Sequence, residues 1–196
     1  YSTWELMQGE IRNVHQSAEQ FAQFSSSEQE QVSEGARQVL HVLAQLPEIK
    51  GSDNTACSNI LANFTVQMPQ YLNVAAADLK GNVYCSGLPL NGPLNISDRP
   101  EFWRAIETGD FSIGNYAVSP VTGKPQLAFT YPVKNNTGLI NGVIALVLDL
   151  EWLSKDLAKN ILLEGSMISI TDNNGIVIAH APHKGMGVGQ PLPRDL

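Results

Sequence analysis

Two stretches of the chain share one frame. Residues 71–89 read YLNVAAADLKGNVYCSGLP, and residues 167–182 read MISITDNNGIVIAHAP. Each is an apolar run ending on an Asp (Asp78, Asp172), followed three residues later by a Gly (Gly81, Gly175). Each then resumes as a second apolar run and stops near a Pro (Pro89, Pro182). The turn has a physical cause. Asp and Asn accept hydrogen bonds from nearby backbone N–H groups, and Gly tolerates positive φ, so the chain reverses between two strands. One D-x-x-G-x-V hairpin is commonplace; two predict tandem copies of one small sheet domain. Little chain follows the second copy before Leu196, so the expectation is a piece of a longer protein.

Charge narrows the partners. The net charge is −7 with a pI near 5.0, which argues against nucleic acid or an anionic membrane surface, since both demand a basic face. An apolar fraction of 43% with 16% charged residues is globular. The longest apolar stretch, Val143–Leu148, is too short to span a bilayer. No charged segment followed by an apolar core opens the chain, so no signal peptide is expected. Cys57 and Cys85 lie outside any C-x-x-C. The residues alone leave open two buried thiols or one disulfide. A bridge would stabilise the fold by roughly 3–4 kcal/mol on chain-entropy grounds.

Trp4, Met7, Ile11, Val14, Ala18 and Phe21 follow a 3-4-3-4-3 spacing that predicts an a/d seam on a helix. Ser27 with Glu30 matches a capping box for a fresh start, and the phase persists through Val32, Val39 and Leu46. Residues 1–46 are thus expected to form one long helix or two stacked ones, a stalk that packs on its own domains, pairs two chains, or both. A loop over 47–55, a helix over 56–67 and the first hairpin follow. Ser97 or Asp98 is expected to cap a helix from Pro100 to Glu107, ended by Gly109. Three strands are expected at Ser112–Val118, Gln126–Lys134 and Leu139–Leu150, then a helix over Glu151–Ile161. The order gives an α+β fold: a five-stranded antiparallel sheet with helices packed on it. The expected domains are 1–46, 47–161 and a second, incomplete unit at 162–196.

Several ordered motifs make the middle of the chain familiar: D-R-P at Asp98–Pro100, G-x-Y at Gly114–Tyr116, T-G-K-P at Thr122–Pro125, Y-P-V at Tyr131–Val133, and G-V-x5-D-L at Gly142–Leu150. Together with the long helix and the two hairpins, they resemble the double Cache family. These are extracytoplasmic, PAS-like sensor domains of bacterial and archaeal histidine kinases, chemoreceptors and diguanylate cyclases. The resemblance implies a Cys57–Cys85 disulfide and an extracytoplasmic, membrane-anchored parent. It also implies a small polar ligand held between the sheet and the loop that bears the helix.

The same resemblance nominates residues for the ligand. Arg99 would fork onto a carboxylate; its alternative is a structural pair with Asp98 or Asp110. Asp149 matches the Asp that takes a ligand amine; its alternative is an N-cap of the following helix. Tyr116 matches a ligand-contacting Tyr or is an ordinary sheet aromatic. All three are expected to face one hollow. Trp103, Phe129 and Tyr131 are its candidate walls, or core. The chain departs from the amino-acid-binding R-x-W-Y pattern, because Glu101 stands for the Trp and Phe102 for the Tyr. An inward Glu101 would repel an anion, so the ligand class stays open among amino acids, other carboxylates and amines.

Enzyme motifs are missing: there is no G-x-S-x-G, H-E-x-x-H, P-loop or G-x-G-x-x-G. The glycines of Lys184–Gly189 lack a strand–helix context. His180 and His183, expected in a loop, would need a further ligand to hold a metal. His15 and His41 are expected on helices as solvated side chains. The reading is a ligand-sensing module without catalysis, cofactor or metal. Its rival is a ligand-free dimerisation module whose signal is a protein partner.

Overall fold

The computed structural model describes residues 30–51, 53–159, 167–182 and 187–192. The seam from Trp4 to Phe21, the Ser27 capping position, His15, Leu162 and His183 lie outside the described residues. The chain divides into two units, Tyr1–Gly35 and Ala36–Leu196. In the first, residues 30–35 are helical; the second carries everything that follows.

Helix α1 covers residues 36–43 and buries Ala36, Leu40 and Leu43. Val39, expected on the stripe, is half-buried. The expected loop over 47–55 contains a one-turn helix, α2 (Pro47–Lys50), started by Pro47 in the first turn and anchored by buried Ile49. The Tyr84 hydroxyl donates to the Ile49 carbonyl at 2.7 Å, and burial, then the Asp78 charge, pushes it up to about 12. Asp53 caps α3 (Asn54–Gln67) by accepting from the Thr55 and Ala56 N–H groups, which moves its start two residues ahead of the expected one.

Strands β1 (Tyr71–Asp78), β2 (Val83–Ser86), β3 (Ser112–Val118), β4 (Pro125–Lys134) and β5 (Ile140–Asp149) form one sheet, in the order β2-β1-β5-β4-β3. Every neighbouring pair is antiparallel. Helix α4 (Pro100–Thr108) fills the connection from β2 to β3 and packs on β3, β4 and β5. Its Phe102 and Ala105 meet Ala77 and Val143 in a fully buried cluster; burying Phe102 contributes about 1.5–3 kcal/mol. The expected cap at Ser97 or Asp98 is not made. Arg99 is the N-cap, without a side-chain hydrogen bond, because Ser97 is held by Asn95 instead. Gly109 closes the helix at φ 67°. Helix α5 (Leu150–Lys159) packs on β7 of a second, two-stranded sheet, β6 (Ile168–Thr171) with β7 (Val177–Ala181). His180, expected in a loop, is fully buried in β7. His41, expected to be merely solvated, bonds the Tyr131 hydroxyl at 3.0 Å.

The two hairpins repeat atom by atom. Asp78 Oδ1 accepts from the Lys80 and Asn82 N–H groups; Asp172 Oδ1 accepts from those of Asn174 and Ile176. The Ile96 N–H donates to the Gly81 carbonyl, and the Leu192 N–H to that of Gly175. A disulfide joins Cys57 on α3 to Cys85 on β2, with Cα atoms 5.9 Å apart.

Candidate functional site

The cross-strand register gives the two faces of the sheet different side chains. On one face, Ala75 pairs with Ala145, Ala128 with Val147, and Thr130 with Ala145. On the other, Leu146, Leu148 and Ile144 pair with Phe129, Leu127 and Tyr131. Bulky residues close the second face. Small ones leave the first with a hollow beneath α4 and the loop before it.

That hollow is a cavity of about 200 Å³. Its floor is Asn73, Ala75, Gln126, Ala128, Thr130, Ala145 and Val147. Its roof comes from Leu94–Ile96 and from Asp98, Arg99, Glu101 and Phe102, and one side from Ser119, Pro120 and Val121. Each part is fixed. The Asn95 amide donates to the Lys80 carbonyl and to Asn82 Oδ1, tying the roof to the first hairpin turn. Ser119 closes its turn by accepting from the Val121 and Thr122 N–H groups. Thr130 Oγ1 donates to the Glu101 carbonyl at 2.9 Å, joining floor to helix. Asn73 donates from its amide to Ser86 Oγ, and its Oδ1 accepts from the Val74 and Leu88 N–H groups.

The charged groups on the wall are Arg99, Glu101 and Asp98. Arg99 is partly exposed, with Nε 3.6 Å from Asp98 Oδ1. Asp110, its other possible partner, is taken bidentately by Arg37 at 3.0 and 3.1 Å. Glu101 is buried. Burial raises its carboxyl above the ordinary range, opposed by its own backbone N–H and by Arg99 and Arg104. The wall thus offers a forked cation to an anion, beside an acid that takes a proton readily.

The other nominated residues lie elsewhere. Asp149 ends the β5 row that carries Ala145 and Val147, opposite Gln126, and is not part of the lining. It caps α5 through the Glu151 and Trp152 N–H groups at 2.8 and 3.2 Å and meets Lys124 Nζ at 3.3 Å. Tyr116 pairs with Leu127 and so shares the bulky face. Phe129 stacks on Phe111 there, and Tyr131 meets His41. Trp103 is exposed on α4, its indole N–H donating to the Ser97 carbonyl at 2.7 Å. Of the three residues expected to share one hollow, the cavity brings in Arg99 alone, with Glu101 beside it. Gln126, Asn95 and Ser119 escaped the sequence reading. A signal was present in Ala75, Ala128 and Ala145, three alanines in three strands, but it needs the register to be read. Among the described residues, no group of three His, Cys, Asp or Glu side chains is placed to hold a metal, and no helix is long and apolar enough to cross a membrane.

Similar proteins agree with this architecture. The fold resembles the sensor domain of the Vibrio cholerae histidine kinase DctB, with TM-score 0.65, 23% identity, and 86% of this chain aligned to 66% of that one. It also resembles the ligand-binding domain of the Campylobacter jejuni chemoreceptor Tlp3, solved with 4-methylisoleucine, at TM-score 0.64, 18% identity, and 80% of this chain on 65% of that one. A third likeness is the ligand-binding domain of the Pseudomonas fluorescens chemoreceptor CtaA, solved with L-serine, at TM-score 0.58, 16% identity, and 76% on 64%. The chain spans about two thirds of each of those domains. No curated protein matches it in sequence. The Cache domain family model (dCache_1) matches residues 3–193, and the chain therefore belongs to the Cache family of extracytoplasmic sensor domains.

Proposed function

We propose that this chain is the ligand-sensing part of a membrane-anchored signalling receptor, and that it binds a small carboxylate-bearing metabolite such as an amino acid. The observation that carries this reading is the cavity of about 200 Å³ with Arg99 and Glu101 on its wall. The ligand carboxylate lies on the Arg99 guanidinium, a charge-assisted fork. Its apolar body lies over Ala75, Ala128 and Ala145, where water is displaced. Glu101 or Asp98 receives an amine when the ligand has one. Asp149 acts through position, holding α5 and Lys124 at the end of the floor. Tyr116, Phe129 and Tyr131 act as the opposite face, and Trp103 as a brace of the roof. The ligand-binding module is 47–161, and a second module of the same kind starts at 162.

The sheet itself supplies a relay. On β4, Thr130 faces the cavity and holds α4, while the next residue, Tyr131, faces His41 of α1. A ligand that draws α4 onto the floor displaces this strand against α1, and the N-terminal helix carries the change onward, paired in a homodimer. Only a ligand that binds the two arrangements with different affinity can do this. The catalytic or signalling output belongs to another part of the parent.

A thermal-shift screen of L-amino acids, dicarboxylates and amines tests the reading. At a concentration 100 times Kd, a true ligand stabilises by about 2.7 kcal/mol. Arg99→Ala is expected to keep the unliganded melting temperature and lose the shift. Equal shifts in parent and variant contradict the assignment.

A further inference from the structure

We infer that the β3 bulge between Ile113 and Tyr116 couples the cavity to the second hairpin, through Glu101 at one end and Asp172 at the other. Its signalling meaning rests on the sensor reading above; its test does not.

The register of β3 on β4 shifts between Ile113 and Tyr116. At the cavity end, the Glu101 carboxyl rests on bare backbone. A Cβ on Gly114 would stand 2.7 Å from Glu101 Cδ and 3.0 Å from the Ala128 carbonyl oxygen. At the far end, the Tyr116 N–H donates to Asp172 Oδ2 at 2.9 Å, and the Tyr116 ring lies against Gly189. Between them, Asn115 Oδ1 is buried with no hydrogen-bond partner among the described residues. An unpaired buried acceptor is costly, so the bulge is a place where a second backbone arrangement competes with the one observed. Among the described strands, β3 lies at one of the two edges of its sheet, held by one neighbour, and segments with few packed contacts open more readily than central ones.

The second hairpin is free to make this contact because of one residue. In the first hairpin, Asp78 Oδ2 is taken by the Asn82 side-chain amide at 3.0 Å. The matching position in the second hairpin is Ile176, whose side chain has no donor. Asp172 Oδ1 makes the same two turn bonds as Asp78 Oδ1, and its Oδ2 reaches across to Tyr116. The bulge thus touches both the wall of the cavity and the second sheet. A shift of Glu101 against Gly114 moves the Tyr116 N–H relative to Asp172.

Hydrogen–deuterium exchange on the full chain, with no ligand added, tests the coupling. Glu101→Ala is expected to speed exchange at residues 172–177 by about threefold or more, on the scale of measured residue couplings. Linkage is reciprocal, so Asp172→Asn is expected to speed exchange at 101–105. Ile176→Asn gives Asp172 an internal partner, and in that background Glu101→Ala should leave 172–177 unchanged. Arg37→Ala, which frees Asp110 beside the start of β3, should leave 172–177 unchanged as well. If Glu101→Ala fails to fold, Asp172→Asn and Ile176→Asn decide the matter through exchange at 101–105. Unchanged exchange at the distant end in both directions overturns the coupling, as does an equal response to Arg37→Ala. A ligand shift in the screen without such coupling leaves the sensor reading intact; coupling in a chain that binds nothing does the reverse.

Discussion

The two hairpins share a turn and differ in what surrounds it. The first is built into its sheet. Cys85 ties β2 to α3, Asn95 locks the turn to the roof of the cavity, and Asn82 satisfies the outer oxygen of Asp78. In the second, Ala179 stands at the place of Cys85 and Ile176 at the place of Asn82, and the outer oxygen of Asp172 reaches a neighbouring strand. Local turn chemistry makes both hairpins, but the residues around the turn decide how firmly each is held and what it touches. A repeat in sequence is therefore a repeat of backbone, with function written in the positions that break it.

The largest difference should come from the disulfide. Replacing Cys57 and Cys85 by Ser is expected to cost about 3–4 kcal/mol, read as a lower denaturation midpoint in guanidinium, or as the same loss in the parent under reductant. Next come the turn glycines. Gly81 and Gly175 both have positive φ, 82° and 74°, where a Cβ costs about 1–2 kcal/mol. A Cβ at Gly81 would also stand 2.6 Å from the Ser97 nitrogen, while at Gly175 it meets nothing within 4 Å among the described residues. Gly81→Ala is thus expected to cost about 3 kcal/mol, with crowding added to strain, and Gly175→Ala about 1–2 kcal/mol. Equal melting temperatures for the two variants would erase the distinction.

Smaller effects appear as pH dependence. The Glu101 carboxyl is raised, mainly by burial. The folded chain therefore holds that proton more tightly than the unfolded one, and this stability, complete below the unfolded carboxyl value, is lost as pH rises through the folded value. Melting curves of Glu101→Gln should gain on the parent as pH increases from the acid range to neutral. Asp78 has the opposite sign. Burial works against its ionisation, but hydrogen bonds from Asn82 and Lys80 hold its carboxyl below the ordinary value. Its contribution is present above the unfolded value and lost as pH falls through the folded one. Asp78→Asn should flatten the acid end of the stability profile, with the smallest change of the series.

The architecture was largely legible from sequence because periodicity and turn residues are local. The strand Ser112–Val118 was expected with its observed bounds, and the sheet of five strands followed from counting runs between turns. The short α2 was missed because one turn of helix leaves no period to read. The cap of α4 was misplaced because Asn95, which holds Ser97, is itself oriented by Lys80 and Asn82, residues far back in the chain. The cavity was the least legible part. Its floor exists because Ala75 falls opposite Ala145 and Ala128 opposite Val147, a matter of register between strands. Motif matching could place Tyr116 on a strand, but the bulge after Ile113 decides which face it occupies.

The central claim is that a small molecule fills the space above those alanines. Ala145→Leu tests it most directly, because Ala145 lies on the floor and the change leaves Arg99 and every charge on the wall in place. In the compound screen, the variant should melt at or above the parent temperature without ligand, since the cavity accepts the added side chain, and should lose the ligand-induced shift. A shift of parental size in Ala145→Leu would contradict the account and put the binding site elsewhere on the chain.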